Sequence, residues 1–339
     1  MKLLFVGDVM LGRVVNQVLR SEPPAYPWGD TLPIFRQADF RVCNLECVIS
    51  DAGVPWSVTP KVFHFRSDAR NVAALQIAGI NAVSLANNHT LDYEYEGMYE
   101  MLKTLDGAGI RHAGAGASLP ASSAPAFSEV GGQRIGLIAF TDNEPVWEAG
   151  ENRPGLFYVP VDLEDVRANR LLEEVDKAKG VVELLILSAH WGPNWGYRPP
   201  AEHPPFARAL IDAGADIVFG HSGHVFRGVE LYKGKPIIYC AGDFIDDYAV
   251  DEIERNDQSF IFVVEARGGE IRGLRLHPTV ITDYQARLAR GIEAEEIASR
   301  MTRLCRELGT RALWRADQGC LDVVIDCETE AVSETAVLE

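Results

Sequence analysis

The sequence predicts a layered α/β fold, and three observations carry that prediction. Short runs rich in Val, Ile and Leu recur along the first 250 or so residues and end in polar side chains. Helix-like segments separate them, with glycines near their ends of the kind that cap a helix C-terminus. The runs are apolar throughout, as strands covered on both faces are. Strand alternating with helix is the pattern of layered α/β domains.

In chain order, KLLFVGD (2–8) opens the sheet. Its apolar stretch is too short for a secretory h-region and lacks a small-residue cleavage site, so it reads as a strand. FRVCNLE (40–46), AVSLANNH (82–89), RIGLIAFTD (134–142), ELLILSAHWG (183–192), DIVFGHSGH (216–224) and KPIIYCAGD (235–243) follow as strands. DARNVAALQIAGI (68–80), YEGMYEMLKTLDGAGI (95–110), DLEDVRANRLLEEVDKAKG (162–180) and PPFARALIDAGAD (204–216) read as the intervening helices. Residues 284–309 read as one helix, with Ile292, Ile297, Met301, Leu304 and Leu308 at helical spacing. CLDVVIDCE (320–328) reads as a strand and 329–339 as an acidic, disordered tail. The expected organisation is a main domain over 1–283 and a helix-and-strand appendage over 284–328, which covers a sheet edge or mediates a homodimer.

Composition narrows the function classes. The 339 residues carry 49 acidic against 32 basic side chains, a net charge of −17. That argues against nucleic acid or an anionic membrane surface as the main partner. No stretch is apolar for long enough to cross a bilayer, so no membrane anchor is expected. The six cysteines form no paired CxxC framework, which fits a reduced, cytoplasmic protein.

The polar residues gather where the strands stop. Asp8, Glu46, Asn88–His89, His190, His221 and His224 each fall within a few residues after an apolar run. In open α/β sheets ligands sit beyond the carboxyl ends of the strands. This donor set suits Zn, Mn or Fe, and paired cations need a bridging carboxylate plus several terminal ligands. Gly192, Gly220 and Gly223 beside the histidines allow close backbone approach.

GDVMLGR (7–13), NLE (44–46), PKVFHFRSD (60–68), SLANNHTLDYEYEG (84–97), HWGPNWGYRP (190–199), LIDAGADIVFGHSGHV (210–225) and GKPIIYCAGDFIDDY (234–248) resemble the CapA-type family of poly-γ-glutamate capsule synthesis. The resemblance covers about residues 1–250. It implies the calcineurin-like metallophosphoesterase fold, a four-layer αββα sandwich with metals at the strand ends. By position it makes Asp8 the first metal-binding aspartate, Glu46 the bridging carboxylate and Asn88 the amide ligand. His190, His221 and His224 become the metal-binding histidines, and His89 the general acid. Two departures stand out: Met10 replaces the histidine of the usual DxH, and GHSGH has one residue more than GHxH. The expected cofactor is one or two divalent cations per chain, or none in the resting protein.

Bland readings stand beside these. A lone His190 suits a core histidine, and Asn88–His89 suits a helix N-cap. Asp92 either orients the His89 imidazole or is an ordinary first-turn acid. Arg13, Lys61 and Arg66 clamp an anionic substrate or form surface ion pairs. Trp191, Trp195, Tyr197 and Arg198 form a substrate wall or pack their loop onto the body. Asp243, Asp246 and Asp247 support the site or form an exposed acidic loop, the safer reading. Cys43 and Cys47 follow strand alternation. His64, His112, His203 and His277 lack converging context.

Three functions remain. One is a hydrolase of a phosphate ester or of an amide or γ-glutamyl bond, with metal-activated hydroxide as nucleophile and His89 as acid. Another is a peptide epimerase that exchanges an α-proton without metal, through Asp8 and a clustered histidine. The last is a non-enzymatic binder of a polyanion, which the charge of −17 opposes. The substrate is correspondingly a small molecule, a peptide or polyglutamate.

Overall fold

The computed structural model describes residues 1–325. The expected tail 329–339 and the end of the strand expected over 320–328 lie outside them.

The chain first lays down four parallel strands, β1 (Lys2–Val9), β2 (Phe40–Leu45), β3 (Ala82–Ser84) and β4 (Arg111–Ala113). It then builds a second sheet from β5 (Ala126–Val130), β6 (Gln133–Thr141), β7 (Leu184–His190), β8 (Ile217–His221), β9 (Val229–Tyr232) and β10 (Lys235–Ile238). Here β6, β7, β8 and β10 run parallel, in the spatial order β9-β10-β8-β7-β6-β5. The chain returns to the first sheet with β11 (Asp243–Ile245), β12 (Gln258–Arg267), β13 (Glu270–Thr282), β14 (Gln285–Leu288), β15 (Ala312–Arg315) and β16 (Cys320–Val323). Its order is β15-β16-β13-β12-β1-β2-β3-β4, with β11 beside β1 and β14 beside β13.

Side-chain alternation stacks these sheets. Leu3 and Phe5 of β1, Ile135 and Leu137 of β6, and Leu184 and Ile186 of β7 fill one core between the sheets. The alternate residues point outward. Leu4 and Val6 pack with α2 (Val72–Ile77) and α3 (Glu94–Gly107), the helices after α1 (Arg13–Val18). Ile138, Phe140, Leu185 and Leu187 pack with α4 (Val166–Lys179) and α5 (His203–Asp212). The result is a four-layer αββα sandwich, with both faces of each sheet covered.

Three expectations change. AVSLANNH is strand only to Ser84, and a turn carries Asn88 and His89. KPIIYCAGD divides between the sheets: β10 ends at Ile238, and Asp243 starts β11 in register with Asp8 of β1. The helix expected over 284–309 begins only at Gly291, because Gln285–Leu288 folds back on β13 as a hairpin. That helix, α6 (Gly291–Glu307), sends Ile297, Met301 and Leu304 into the inter-sheet core, while Ile292 in its first turn is exposed. Residues 284–325 thus share sheet and core with the preceding chain. The five described cysteines are free and buried. No described helix is long and apolar enough to cross a membrane.

This packing sets two expectations for stability. Met301→Ala should cost about 2–5 kcal/mol, the usual penalty for truncating a buried methionine, and do so in one cooperative urea transition. A separate, earlier transition confined to the C-terminal residues would contradict a shared core. His203 is buried against Trp191, 4.4 Å between ring centroids, and its Nδ1 has no hydrogen-bond partner. Burial, helped by Arg227, pushes its imidazole down to about 3. Below the ordinary value of about 6.5 the unfolded chain takes up a proton that the folded chain refuses, so stability declines as pH falls, by up to about 1.4 kcal/mol per unit. His203→Phe should flatten that slope between about pH 6.5 and 4 in urea unfolding; an unchanged slope would contradict the assignment.

Candidate metal and acid–base centre

The carboxyl ends of β1, β2, β7 and β8 meet at one edge of the sandwich. Register brings Asp8 beside Asn44 and Asp243, and His190 beside His221. Two glycines permit the approach. A Cβ on Gly7 would lie 1.8 Å from the Gly242 carbonyl oxygen, and one on Gly220 would lie 2.3 Å from that of Tyr239. Only glycine fits at either position.

Two groups of ligand atoms result. Asp8, His190 and His221 form one; Asp8, Glu46, His224 and Asp243 form the other, each with its atoms within 4.8 Å of one another. All of these residues are buried except His224, which is nearly so. Asp8 is common to both groups, and Glu46, which the resemblance makes the bridging carboxylate, belongs to the second. Asp243 belongs to the second group and is fully buried, as Asp246 nearly is, so the reading of this block as an exposed acidic loop is overturned. Met10 has no imidazole to offer; its sulfur accepts from Gly12 N at 3.1 Å. The extra residue of GHSGH is absorbed by left-handed backbone at Ser222 (φ 101°) and His224 (φ 57°). His224 Nδ1 thereby comes to 2.9 Å from Asp243 Oδ1.

The polar accounting shows a cluster whose atoms could hold a cation. Asp8 Oδ2, both Glu46 carboxylate oxygens, Asn88 Oδ1, Asp243 Oδ2 and Asp246 Oδ2 are buried without a hydrogen-bond partner. Buried polar atoms are ordinarily satisfied. Burial pushes the carboxyls of Asp8, Glu46 and Asp243 above their usual range, mutual repulsion adding to it for Glu46 and Asp243, and Asp246 up to about 6. Burial holds the His190, His221 and His224 imidazoles below theirs, so they are neutral donors. Neutral imidazoles and unpartnered carboxylate oxygens fit a divalent cation.

Around this nucleus lie residues with little signal of their own in the sequence. The Asn44 amide donates to Asp8 Oδ1 at 2.7 Å and is itself held by Asn87, whose Nδ2 donates to Asn44 Oδ1 at 2.9 Å. Ser188 Oγ lies 2.7 Å from His221 Nε2, and the Nδ1 atoms of His190 and His221 are 2.8 Å apart. Arg227 is buried and donates to the carbonyls of Pro193, Trp195 and Gly196 at 3.0–3.1 Å, which fixes the loop after β7. Asn44 could have been suspected as an amide inside an apolar strand; Arg227 carries no such signal.

A cavity of about 560 Å³ opens over the cluster. Arg13, Lys61, Asn88, His89, Trp195 and His224 are among its lining residues. His89 stacks on Phe65 at 3.9 Å, and its Nδ1 is 2.6 Å from Asp92 Oδ2. Its Nε2 lies 3.8 Å from Glu46 Oε1. Burial holds this imidazole below its usual range against the opposing pull of Asp92. Asp92 also accepts from Phe65 N at 2.6 Å and faces Lys61 at 3.4 Å, so it ties the 53–65 loop to His89. The other candidates lie elsewhere. Trp191 is a core residue, donating from Nε1 to Tyr239 O at 2.9 Å. Tyr197 donates to the Glu254 carbonyl, and Arg198 pairs with Glu307 of α6 at 2.8 Å. Arg66 lies over the Tyr93 ring and donates to Gly53 O. These four serve packing and loop anchoring.

Known proteins share much of this chain. A family model described as bacterial capsule synthesis protein PGA_cap matches residues 2–248. A probable polyglutamine synthesis accessory protein of Mycobacterium tuberculosis is 32% identical over 364 positions, covering 95% of each chain. The PGA biosynthesis protein CapA of Bacillus subtilis is 31% identical over 72% of this chain and 62% of its own. The capsule biosynthesis protein CapA of Bacillus anthracis is 29% identical over 71% of this chain and 59% of its own. A crystal structure of a hypothetical protein from Thermus thermophilus covers 82% of this chain and 98% of its own, with 17% identity and a TM-score of 0.49. Matched by the family model over residues 2–248 and by a 32% identical relative along 95% of its length, the chain belongs to the bacterial capsule synthesis protein PGA_cap family.

Proposed function

We propose that the chain is a metal-dependent hydrolase of phosphate esters. The observation that carries this reading is the pair of buried ligand groups sharing Asp8, with carboxylate and amide oxygens left without partners. Asp8, Glu46, Asn88, His190, His221, His224 and Asp243 would hold one or two cations of Mn, Fe or Zn. Such cations, when bound, polarise a phosphoryl oxygen and make water nucleophilic at neutral pH.

The chain's own residues supply the rest. Asn44 fixes the rotamer of Asp8. Asp92 accepts from His89 Nδ1–H and so favours the imidazolium, the acid form, whose second proton is on Nε2. Standing at the cavity wall, His89 delivers that proton to the departing oxygen as general acid. Arg13 and Lys61 line the cavity, each paired with a carboxylate of the chain, and the Phe65 ring shields the imidazole from water. The names of the CapA relatives tie them to capsule and PGA synthesis, and an amide or γ-glutamyl bond is the second bond class we assign to the same centre.

One observation favours metal-free α-proton exchange as a second reading. His89 and His224 both line the cavity, each oriented through Nδ1 by a carboxylate. In that case a peptide substrate gains solvent deuterium at an α-carbon with chelator present. No incorporation would remove this reading.

The hydrolase reading makes two predictions. His89→Asn should retain its metal yet lower kcat by about 10²–10⁴-fold, the usual worth of a positioned acid. The loss should be larger for phenyl phosphate than for p-nitrophenyl phosphate, whose leaving group needs less protonation. Equal losses would contradict the acid role. Asp243→Asn removes one buried carboxylate, so Mn affinity by calorimetry should fall at least about tenfold while the melting temperature of the metal-free protein holds or rises. Unchanged affinity would exclude Asp243 from the ligand set.

A further inference from the structure

We infer that the outer half of the cavity is a subsite for an uncharged aromatic or aliphatic leaving group, walled by Val62, Phe63 and Trp195. The inference rests on the hydrolase reading and names its substrate class. All three side chains line the cavity and yet are exposed, by 85%, 59% and 41%. A single exposed apolar side chain is ordinary; three around one concave site mark a surface built to be covered.

The wall is preorganised from both sides. Lys61, next to Val62 in the chain, is anchored inward by the Asn88 carbonyl at 2.6 Å and by Glu144 at 3.2 Å. Arg13 lies between 5.4 and 5.9 Å from the rings of Phe63, Phe65 and Tyr248, holding that aromatic cluster together. On the far side Arg227 grips the Trp195 carbonyl at 3.1 Å. The backbone that carries the wall therefore has little freedom left to lose when a ring enters.

Charge sets the other half of the specificity. The cavity's lysine and arginine are both engaged: Arg13 Nε lies 3.2 Å from Asp247, and Lys61 faces Asp92 and Glu144. Glu144 adds a carboxylate to the lining, and the chain as a whole carries −17. An anion at the His89 end meets the cluster of ligand residues, whereas further anions along the substrate meet apolar walls and a carboxylate. A polymer with a carboxylate on every unit is therefore disfavoured in the outer subsite, and a phosphate ester of an apolar alcohol or phenol is favoured.

The test is calorimetric binding to the full chain in Mn-containing buffer, with methylphosphonate, phenylphosphonate and tri-γ-glutamate as probes. Phenylphosphonate should bind about tenfold tighter than methylphosphonate, as when roughly half of a phenyl ring's apolar surface leaves water. Phe63→Ser and Val62→Ser should each bring that ratio toward one. Tri-γ-glutamate should bind more weakly than phenylphosphonate. Equal Kd values for the two phosphonates, or tighter binding of tri-γ-glutamate, would overturn the subsite and leave the hydrolase reading standing. Absence of binding by both phosphonates, together with no turnover of phenyl phosphate, would overturn both.

Discussion

Four carboxylates, those of Asp8, Glu46, Asp243 and Asp246, are buried at one edge of the sandwich, and the chemistry of the chain depends on how their charge is balanced. Two like unit charges about 4 Å apart repel by roughly 4 kcal/mol at an effective dielectric of 20. The four cannot all ionise unaided, and their raised proton affinities express this. Three neutral imidazoles, two buried and that of His224 nearly so, lie among them, lone pairs available, in place of lysine or arginine. A purely structural ion cluster would pair such acids with arginine. Acids set against neutral histidines offer instead a set of atoms that could hold a metal ion.

The layering explains how residues far apart in the chain reach the same few ångströms. Asp8 and Asp243 are neighbours because β11 leaves the second sheet's neighbourhood and pairs parallel to β1. His190 and His221 come together because β7 and β8 pair in register. The sheets supply rigid positions for the clustered acids and histidines, and the turns beyond them supply groups that line the cavity: Asn88 and His89 after β3, Trp195 after β7, His224 after β8. Buried hydrogen bonds stiffen those turns. Asp92 joins His89 to the 53–65 loop, and Arg227 holds the loop of Trp195.

Much of this is legible in the sequence, for a physical reason. Asp8, Glu46, His190 and His221 each follow an apolar run directly, and a polar residue at the end of a buried parallel strand has few places to point. Asp243 is hidden because PIIYCAG runs up to it without a polar break, and no local pattern marks where such a run changes sheet. Trp191 misleads for a related reason: adjacent to His190 of the cluster, it points the opposite way, into the helix-covered core. Tyr197 and Arg198 depend on contacts with Glu254 and Glu307, distant in the chain. Asn44 is visible in NLE, but its duty toward Asp8 depends on parallel register that a single strand does not reveal.

Whether the Asp8 cluster holds a divalent cation is the point on which the chemistry turns. Elemental analysis of protein purified without chelator and without a metal affinity column tests it most directly, read beside an Asp8→Asn variant prepared in the same way. One to two equivalents of Mn, Fe or Zn per chain in the wild type, lost in the variant, is the predicted result. A wild type that stays at zero after incubation with excess Mn or Zn would contradict the cation site and leave the cluster to acid–base work alone.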